Sequence, residues 1–309
     1  MSLSTAATFS PILSEALNKI GENEFVGTSI LPIRQVSVKS GDYPIFDSDQ
    51  FDIDDSAVRA PGTNFKRRDF VYGKQSFQCF QYALEGLLPD EDATQANQDG
   101  ISDAAGAIAQ KLQRDIMVGH ERRVNSALTG AGFSSTTGDA NRGNASLSNA
   151  AATPIKAVQS MVEELNGDGF FDLSLIIEKS LYDALLNSDQ IGAIFAGSAQ
   201  YQNKTDLQNI LGVGNIIVTP TRYNSAAKGQ TASRSRVWDN TKFYVGQIAG
   251  GEFSNGGIGR TLAFSPDGGA FSAETYRDEP IKSDVLRVYM STDEVIINTN
   301  AAREVNYTV

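Results

Sequence analysis

Hydrophobic and polar positions divide the chain into segments of different character. Pro32 interrupts the extended apolar run that begins at Ile30, which indicates an arm or an edge strand. A two-stranded excursion then runs from about Val36 to Phe80 and turns at Ala60-Pro61-Gly62. An isolated two-stranded hairpin is only marginally stable in water. The pattern therefore favours a segment that lies on a neighbouring molecule.

A long helix follows the excursion. The sequence predicts it from about Gln98 to Thr129, with Asn97 as its N-cap and Gly130 at its end. Apolar residues recur at helical spacing along one face, at Ile101, Ala105, Ile108, Leu112 and Ile116. At about 1.5 Å per residue the helix spans about 48 Å, which is longer than a small domain is wide.

From residue 153 onward, helical and extended patterns alternate. Helices are predicted from Thr153-Pro154 to Leu165, after Ser180 as a cap, and over 205–211. Strands are predicted at 173–177, 215–219, 241–245, 271–276, 284–290 and 295–298. Three segments read as irregular: a flexible loop at 130–152, a polar insertion at 224–236 and a glycine-rich stretch at 250–269.

Charge separates the two limbs of the excursion. We define the acidic limb as Asp47, Asp49, Asp52, Asp54 and Asp55. The returning limb begins with the basic residues Lys66, Arg67 and Arg68, and a further basic pair, Arg122 and Arg123, lies late on the long helix. Two interpretations stay open on charge alone: a solvated loop whose charges pair locally, or limbs that meet the surface of an adjacent copy. These ten residues are our candidates for contacts between subunits.

Composition narrows the class of protein. A chain of 309 residues suggests about two domains by the usual ~150 residues per domain. The single cysteine, Cys79, precludes an internal disulfide and is expected to act as a small core residue. No secretory leader and no apolar run near ~18 residues occur, which predicts a soluble chain made in the cytosol without a membrane partner. The net charge of −11 argues against a surface that wraps nucleic acid.

Little in the sequence indicates catalysis. His120 is the only histidine, and we expect it to be solvated or at an interface rather than to act as a base. One histidine and one cysteine do not make a usual zinc site. The aspartates of the acidic limb fail the EF-hand template, because Phe51 occupies its fifth position. We therefore predict no catalytic residues, no metal and no cofactor, although a carboxylate pair drawn from distant residues stays open as an alternative.

The order of segments resembles the major capsid proteins of tailed bacteriophages. The resemblance covers nearly the whole chain and rests on eight stretches in the family's order. They are LPIRQVSVKSGDYPIFDSDQF, RAPGTNF, QCFQYALEGLLPDEDA, HERRVNSAL, LSLIIEKSLYDALLNSDQI, LQNILGVGNIIVTPTRYN, VWDNTKFYVG and ETYRDEPIKSDVLRVYMSTDEVI. Each stretch alone is weakly specific for the family, whereas all eight in the family's order make the resemblance strong.

The resemblance implies an α+β fold with four parts. These are an N-terminal arm at 1–35, an extended β-hairpin loop at 36–80, a peripheral domain with a long spine helix at 81–170 plus 266–309, and an α/β axial domain at 171–265. It also implies a structural function, in which copies form pentamers and hexamers that close into an icosahedral capsid around double-stranded DNA, without sequence-specific contact. Implied partners are a separate scaffolding protein, a portal and a decoration protein. The implied location is the virion, assembled in the host bacterial cytoplasm.

The sequence departs from some members of the family in two respects, and two alternative functions stay open. The chain starts at the arm, so we expect it to lack the long N-terminal scaffolding segment that some members carry. Lys66 and Lys74 lie where some members form a crosslink, but no motif locates an acceptor or an activating acid, so we do not claim a crosslink. One rival shares the fold: an encapsulin-like nanocompartment shell around protein cargo. The rival from another class is a carboxylate-based hydrolase.

Overall fold

The computed structural model describes most of the chain. The described residues are 8–9, 25–45, 58–65, 73–98, 104–135, 145–147, 152–189, 191–192, 204–227, 229–248, 250, 256–265 and 270–308. The helices are α1 (Gly27–Ile30), α2 (Asp90–Gln98), α3 (Ala104–Gly130), α4 (Pro154–Gly167), α5 (Lys179–Leu186) and α6 (Lys204–Leu211), with short 3-10 turns at Glu279–Ile281 and Thr299–Ala301.

Sixteen strands are formed by the described residues. They are β1 (Thr8–Phe9), β2 (Ile33–Val36), β3 (Ser40–Ile45), β4 (Gly73–Gln78), β5 (Phe80–Pro89), β6 (Ser134–Ser135), β7 (Ala145–Ser146), β8 (Leu173–Glu178), β9 (Asn215–Thr219), β10 (Arg222–Asn224), β11 (Arg234–Arg236), β12 (Lys242–Gln247), β13 (Gly259–Phe264), β14 (Ser272–Asp278), β15 (Ser283–Ile296) and β16 (Ala302–Thr308).

Two six-stranded sheets and two separate hairpins organise these strands. The first sheet has the order β1-β14-β15-β13-β2, and β5 pairs with the other edge of β15. The second has the order β6-β16-β12-β8-β9, and β7 also pairs with β16. The hairpins are β3–β4 and β10–β11. Helix and strand are both abundant, and most strand pairs in the two sheets are antiparallel, which confirms the α+β class.

The long helix α3 joins the two sheets. Its first half packs Ala109, Ile116 and Met117 against strand β15 of the first sheet. Its second half packs Val124 and Leu128 in a cluster that includes Ile176, Ile217 and Tyr244 of the second sheet. At about 1.5 Å per residue, its 27 residues span about 40 Å, so one rigid element reaches both cores.

Strand β8 is buried on both faces, which explains its largely apolar run. Leu175 and Ile177 face the core formed with α4, α5 and α6, whereas Ile176 faces the cluster that contains α3. All six residues of the strand are buried. Its parallel partner β9 and antiparallel partner β12 complete the centre of this sheet. A run such as LSLII, in which only Ser174 is polar, is typical of a strand that is covered on both sides.

Close approach of α3 to β5 depends on a glycine. A Cβ atom built on Gly86 would lie 2.5 Å from Cγ2 of Ile108 and 3.3 Å from Cδ1 of Leu112. Of the predicted apolar face, Ile116 is buried, whereas Leu112 is only half-buried against this core. The buried face of the helix also includes Ala109 and Met117, so it overlaps the predicted face only in part. The helix can lie at this distance because residue 86 has no side chain.

Several sequence-based expectations need correction. The stretch 250–269 contains strand β13, which pairs with β15 and, in parallel, with β2. The predicted strand 284–290 and the first half of the predicted strand 295–298 belong to one continuous strand, β15, which ends at Ile296. The polar insertion 224–236 forms the outer part of the β10–β11 hairpin. The cap of α5 is Glu178, whose carboxylate accepts a hydrogen bond from the Ser180 backbone N–H at 2.6 Å.

The sheets cross the predicted domain boundaries. Strand β13, within 171–265, pairs in the first sheet, and strand β16, within 266–309, pairs with β12 in the second. Strand β2 lies at the end of its sheet, as expected for the segment that contains Pro32. The division into arm, loop, peripheral domain and axial domain stays a prediction.

Candidate intersubunit surfaces

Most of the predicted contact residues lie outside the described residues. This applies to the whole acidic limb, Asp47, Asp49, Asp52, Asp54 and Asp55, and to Lys66, Arg67 and Arg68. Their role in contacts between subunits stays a prediction. Arg122 and Arg123 are described, as are the root of the excursion and its turn at 58–65.

The root of the excursion is an antiparallel hairpin anchored on the first sheet. Strands β3 and β4 pair from Ser40 with Gln78 to Ile45 with Gly73. Tyr43, Phe77 and Cys79 are buried and form a small cluster with residues of β13 and β15. The backbone N–H of Gln78 also donates to Asp293 at 2.9 Å. The predicted excursion is therefore a hairpin with a fixed base.

The turn of the excursion is exposed and carries apolar side chains. Val58 is 91% exposed and Phe65 is 79% exposed, and every residue of 58–65 is exposed. The guanidinium of Arg59 lies 4.2 Å from the centroid of the Phe65 ring. Large apolar side chains this exposed are unusual as a group on a soluble protein, so this turn is a candidate contact surface.

Cys79 behaves as the sequence predicted. The thiol is buried and donates to the carbonyl of Leu262 at 3.5 Å. Burial, with a smaller contribution from the nearby Asp293 carboxylate, raises the pKa of the Cys79 thiol to about 11. A thiol that stays protonated at neutral pH is a poor nucleophile. Cys79 is therefore a core residue.

Arg122 and Arg123 have different surroundings. Arg122 is exposed, and its guanidinium lies 4.9 Å from the centroid of the Tyr223 ring in strand β10. Arg123 is held within its own chain: its Nε donates to Oε2 of Glu294 at 3.0 Å, and its guanidinium stacks 3.6 Å from the Tyr82 ring centroid. Of the pair, Arg122 is thus the more available to a neighbour.

Glu121, between His120 and Arg122, is a junction that sequence reasoning missed. Its carboxylate is fully buried and accepts hydrogen bonds from two backbone N–H groups, of Val26 at 2.7 Å and Gly27 at 2.8 Å. It also accepts from the Thr221 hydroxyl at 2.8 Å and from Nε1 of Trp238. Four donors stabilise the buried charge without a cation. One side chain of α3 thereby fixes both the segment around α1 and the base of the β10–β11 hairpin.

His120 is buried rather than solvated, which corrects the sequence-based expectation. Its side chain is fully buried, and Nε2 lies 3.2 Å from Oγ1 of Thr261. The Thr261 hydroxyl donates to the Leu31 carbonyl at 3.0 Å, so it accepts from Nε2–H, and the neutral ring carries its proton there. A Cβ atom on Gly27 would meet the other nitrogen, Nδ1, at 3.2 Å. The ring is a packed element of the core.

Electrostatics around His120 favour its neutral form. Burial, and secondarily the nearby positive charge of Arg123, lowers its pKa to about 3. Glu294 lies 3.6 Å from Nε2, but its charge is already compensated by Arg123 at 3.0 Å. Burial also raises the pKa of Glu294, although the Arg123 pairing opposes that shift. This group of residues therefore serves packing and offers no base poised near neutral pH.

The described residues contain no group of three or more histidine, cysteine, aspartate or glutamate side chains arranged to hold a metal ion. Near the hairpin root, a shallow cleft is lined by Ser40, Gly41, Asp42, Ser76, Phe77, Gln78 and Asp293. It is open to solvent and polar, and in its described surroundings no histidine or cysteine converges on it. Of the described helices, none is long and apolar enough to span a bilayer.

Comparison with known proteins gives a fold. No protein-family model and no curated protein matches the sequence. A phage-related protein from Bordetella bronchiseptica RB50 superposes with a TM-score of 0.74 over 97% of both chains, at 19% sequence identity. The virus-like particle from Pyrococcus furiosus matches with a TM-score of 0.56 and 13% identity, over 96% of this chain and 98% of that chain. The capsid structure of the cyanophage P-SCSP1u matches with a TM-score of 0.53 and 13% identity, over 100% and 90% respectively.

These likenesses agree with one another over the length of the chain. The hairpin root, the long helix and both sheets lie within the matched part, because each match covers at least 96% of this chain. The chain has the fold of a phage capsid protein, as the resemblance in its sequence implied, and shares it with a phage-related protein.

Proposed function

We propose that this chain is the structural subunit of an icosahedral capsid of a tailed bacteriophage. Copies assemble through pentamers and hexamers into a closed shell around double-stranded DNA. The observation that carries the proposal is the fold, which is similar to that of the cyanophage P-SCSP1u capsid over 100% of this chain and to that of a phage-related protein over 97%. A fold can host many functions, so the hairpin matters as a second support: its exposed apolar turn suits a surface that a neighbour covers.

The excursion has a definite role in this proposal. Its root, β3–β4, is packed on its own subunit, whereas Val58 and Phe65 at its turn are exposed. Burying an apolar side chain of that size on a neighbour contributes about 1.5–3 kcal/mol. Repeated around a ring of subunits, such a contact links each copy to the next. Deletion of residues 48–64 should therefore leave the subunit folded and prevent closed shells.

The contents of the shell distinguish the proposal from its rival of the same fold. The alternative is a nanocompartment shell around protein cargo, and the similarity to a virus-like particle from Pyrococcus furiosus supports it. The long arm and the long charged excursion favour the phage capsid. The net charge of −11 suits DNA that is enclosed without tight or sequence-specific contact. A scaffolding protein, a portal and a decoration protein are the proposed further partners, in a virion assembled in the host cytoplasm.

A structural role is proposed in preference to catalysis. The single histidine is buried and neutral, and Cys79 is buried with a raised pKa. A hydrolase built on a carboxylate pair is the alternative from another class. It would act as a small soluble species, whereas a shell subunit would sediment as a large particle.

The test combines particle mass with the nature of the contents. The full chain is expressed in bacteria, and its mass is measured by size-exclusion chromatography with light scattering. The proposal expects closed particles, with DNA protected from added nuclease when the packaging proteins are supplied. Particles that enclose a defined protein instead would support the nanocompartment. A stable monomer under all conditions would contradict the shell itself.

A further inference from the structure

The β10–β11 hairpin concentrates positive charge in an acidic protein. The whole chain has 37 acidic and 26 basic residues. Residues 221–238, by contrast, contain the basic residues Arg222, Lys228, Arg234 and Arg236 and no aspartate or glutamate. Such a separation is unusual for a surface hairpin whose charges serve only solubility.

The strand register places three arginines on one face of this hairpin. Arg222 lies directly opposite Arg236, and Asn224 lies opposite Arg234. Because side chains alternate between the faces of a strand, positions 222, 234 and 236 share one face, which we call the arginine face. Tyr223 lies on the other face, where its ring meets Arg122. Like charges directly opposite each other are destabilising, so this arrangement costs stability unless an anion approaches.

Described acidic side chains compensate only part of the positive charge on the arginine face. Arg236 Nε lies 3.4 Å from Oε1 of Glu178, whose side chain is almost fully buried. Among the residues that the structure describes, Arg222 and Arg234 form no ion pair, and both are exposed. The base of the hairpin is nevertheless fixed, because Thr221 and Trp238 both donate to the buried Glu121 carboxylate. The hairpin that carries the arginine face is therefore anchored at its base, and among the described acidic residues only Glu178 pairs with this face.

We propose that the arginine face binds carboxylates of a second copy of this chain. The inference rests on the proposed function, in which copies surround one another. Each copy has an excess of acidic charge, so a neighbour supplies complementary groups. The acidic limb is the densest source, with five aspartates in the nine residues 47–55. Nucleic acid is disfavoured as the partner, because a chain of charge −11 repels a polyphosphate except at this one patch.

A binding experiment tests the inference without requiring a shell. A fluorescent synthetic peptide with the sequence of residues 45–57, IFDSDQFDIDDSA, is titrated with the full chain. The variant carries Arg222→Glu and Arg234→Glu. The matched control carries Lys156→Glu and Lys204→Glu, two exposed lysines on α4 and α6 that give the same net charge. The variant should weaken peptide binding about tenfold relative to the control, and rising salt should abolish that difference.

Assembly kinetics provide the second measurement. Light scattering follows shell formation by the same variant and control from about 50 to 500 mM salt. The variant should assemble more slowly than the control at low salt, and adding Asp52→Lys and Asp54→Lys should restore part of the rate.

Three outcomes separate the possibilities. Equal peptide binding by variant and control, or no binding by either, overturns the inference. A duplex DNA oligonucleotide that binds the wild type, loses affinity in the variant and displaces the peptide would make the face a nucleic-acid surface and also overturn it. A wild-type chain that never forms particles contradicts the proposed function instead, and the peptide titration still decides the inference.

Discussion

The junction at Glu121 makes the sharpest prediction about stability. Its carboxylate accepts four hydrogen bonds from three separate segments and has no exposed surface. The substitution Glu121→Gln keeps the shape of the side chain but replaces one oxygen by an NH₂ group. With the remaining oxygen directed at the backbone N–H groups of Val26 and Gly27, the NH₂ group faces Nε1–H of Trp238. Two donors then oppose each other in a buried site.

The magnitude follows from the bonds that change. Hydrogen bonds to a charged acceptor contribute about 1.5–3 kcal/mol each, and neutral ones about 0.5–1.5 kcal/mol. One bond is lost and at least two are weakened, whereas the Thr221 hydroxyl can rotate to accept from the new NH₂ group. We therefore expect Glu121→Gln to lower the free energy of unfolding by about 3 kcal/mol.

Urea unfolding of the unassembled subunit, followed by far-UV circular dichroism, measures this loss. Trp238→Phe removes the opposing donor, so the double variant should lose about 1–2 kcal/mol less than the sum of the two single losses. Glu163→Gln on the exposed face of α4 is the matched control and should change stability by less than about 0.5 kcal/mol. A loss below that limit for Glu121→Gln itself would refute the reasoning.

Three further predictions follow from the packing of α3 and the buried titratable groups. Gly86→Ala places a Cβ atom 2.5 Å from Ile108 and should lower the free energy of unfolding in urea by about 1–3 kcal/mol. Gly119→Ala, where the nearest side-chain atom is 3.5 Å away, should leave that free energy unchanged or raise it by up to about 1 kcal/mol. Equal effects of the two substitutions would contradict the close approach of α3 to β5. Burial lowers the pKa of His120 to about 3, so as the pH falls the imidazole is protonated in the unfolded chain before it is protonated in the folded chain. The free energy of unfolding should therefore fall from about pH 6.5 towards pH 3 by up to ~1.4 kcal/mol per pH unit, and His120→Gln should flatten that slope. An unchanged slope in the variant would show that other groups cause the loss. The raised pKa of Cys79 predicts that a maleimide does not label the folded chain at pH 8 and labels it fully in urea, and rapid native labelling would contradict its burial.

Elements with strong local patterns could be predicted from the sequence. The apolar residues of β8 place that strand to within a residue, and Gly130 marks the end of α3 as predicted. The predicted start of α3 is wrong, because the expected N-cap, Asn97, lies within helix α2 and the described helix begins at Ala104. The excursion was recognisable because opposite charge and a central turn separate its two limbs. Its root is a hairpin in the structure, and the ends of that hairpin follow the predicted segment.

Elements that depend on distant partners could not be predicted. Strand β13 lies in a glycine-rich stretch and contains Arg260 and Thr261, so its strand character comes from pairing with β2, more than 200 positions earlier, and with β15. Strand β5 contains Gly86, which reads as a break until the helix packed on it is known. Secondary structure of this kind is fixed by tertiary contacts and leaves little local signal.

In the candidate site, too, features with a local sequence pattern could be predicted, and features that depend on distant contacts could not. Arg122 and Arg123 were found as a charged pair, but only the structure separates an exposed residue from one bound to Glu294. Glu121 has no recognisable motif, because its four donors come from positions 94 to 117 residues away along the chain. The one usable signal was its place in the middle of a long helix, beside a lone histidine.

Electron microscopy of the purified full chain in negative stain tests the central claim most directly. We expect closed shells of uniform diameter with pentameric and hexameric units. Deletion of residues 48–64 should abolish the shells, while the circular dichroism spectrum stays that of a folded subunit. Fields that contain only small single particles for the wild type, at high protein concentration and over a range of salt, would contradict the central claim.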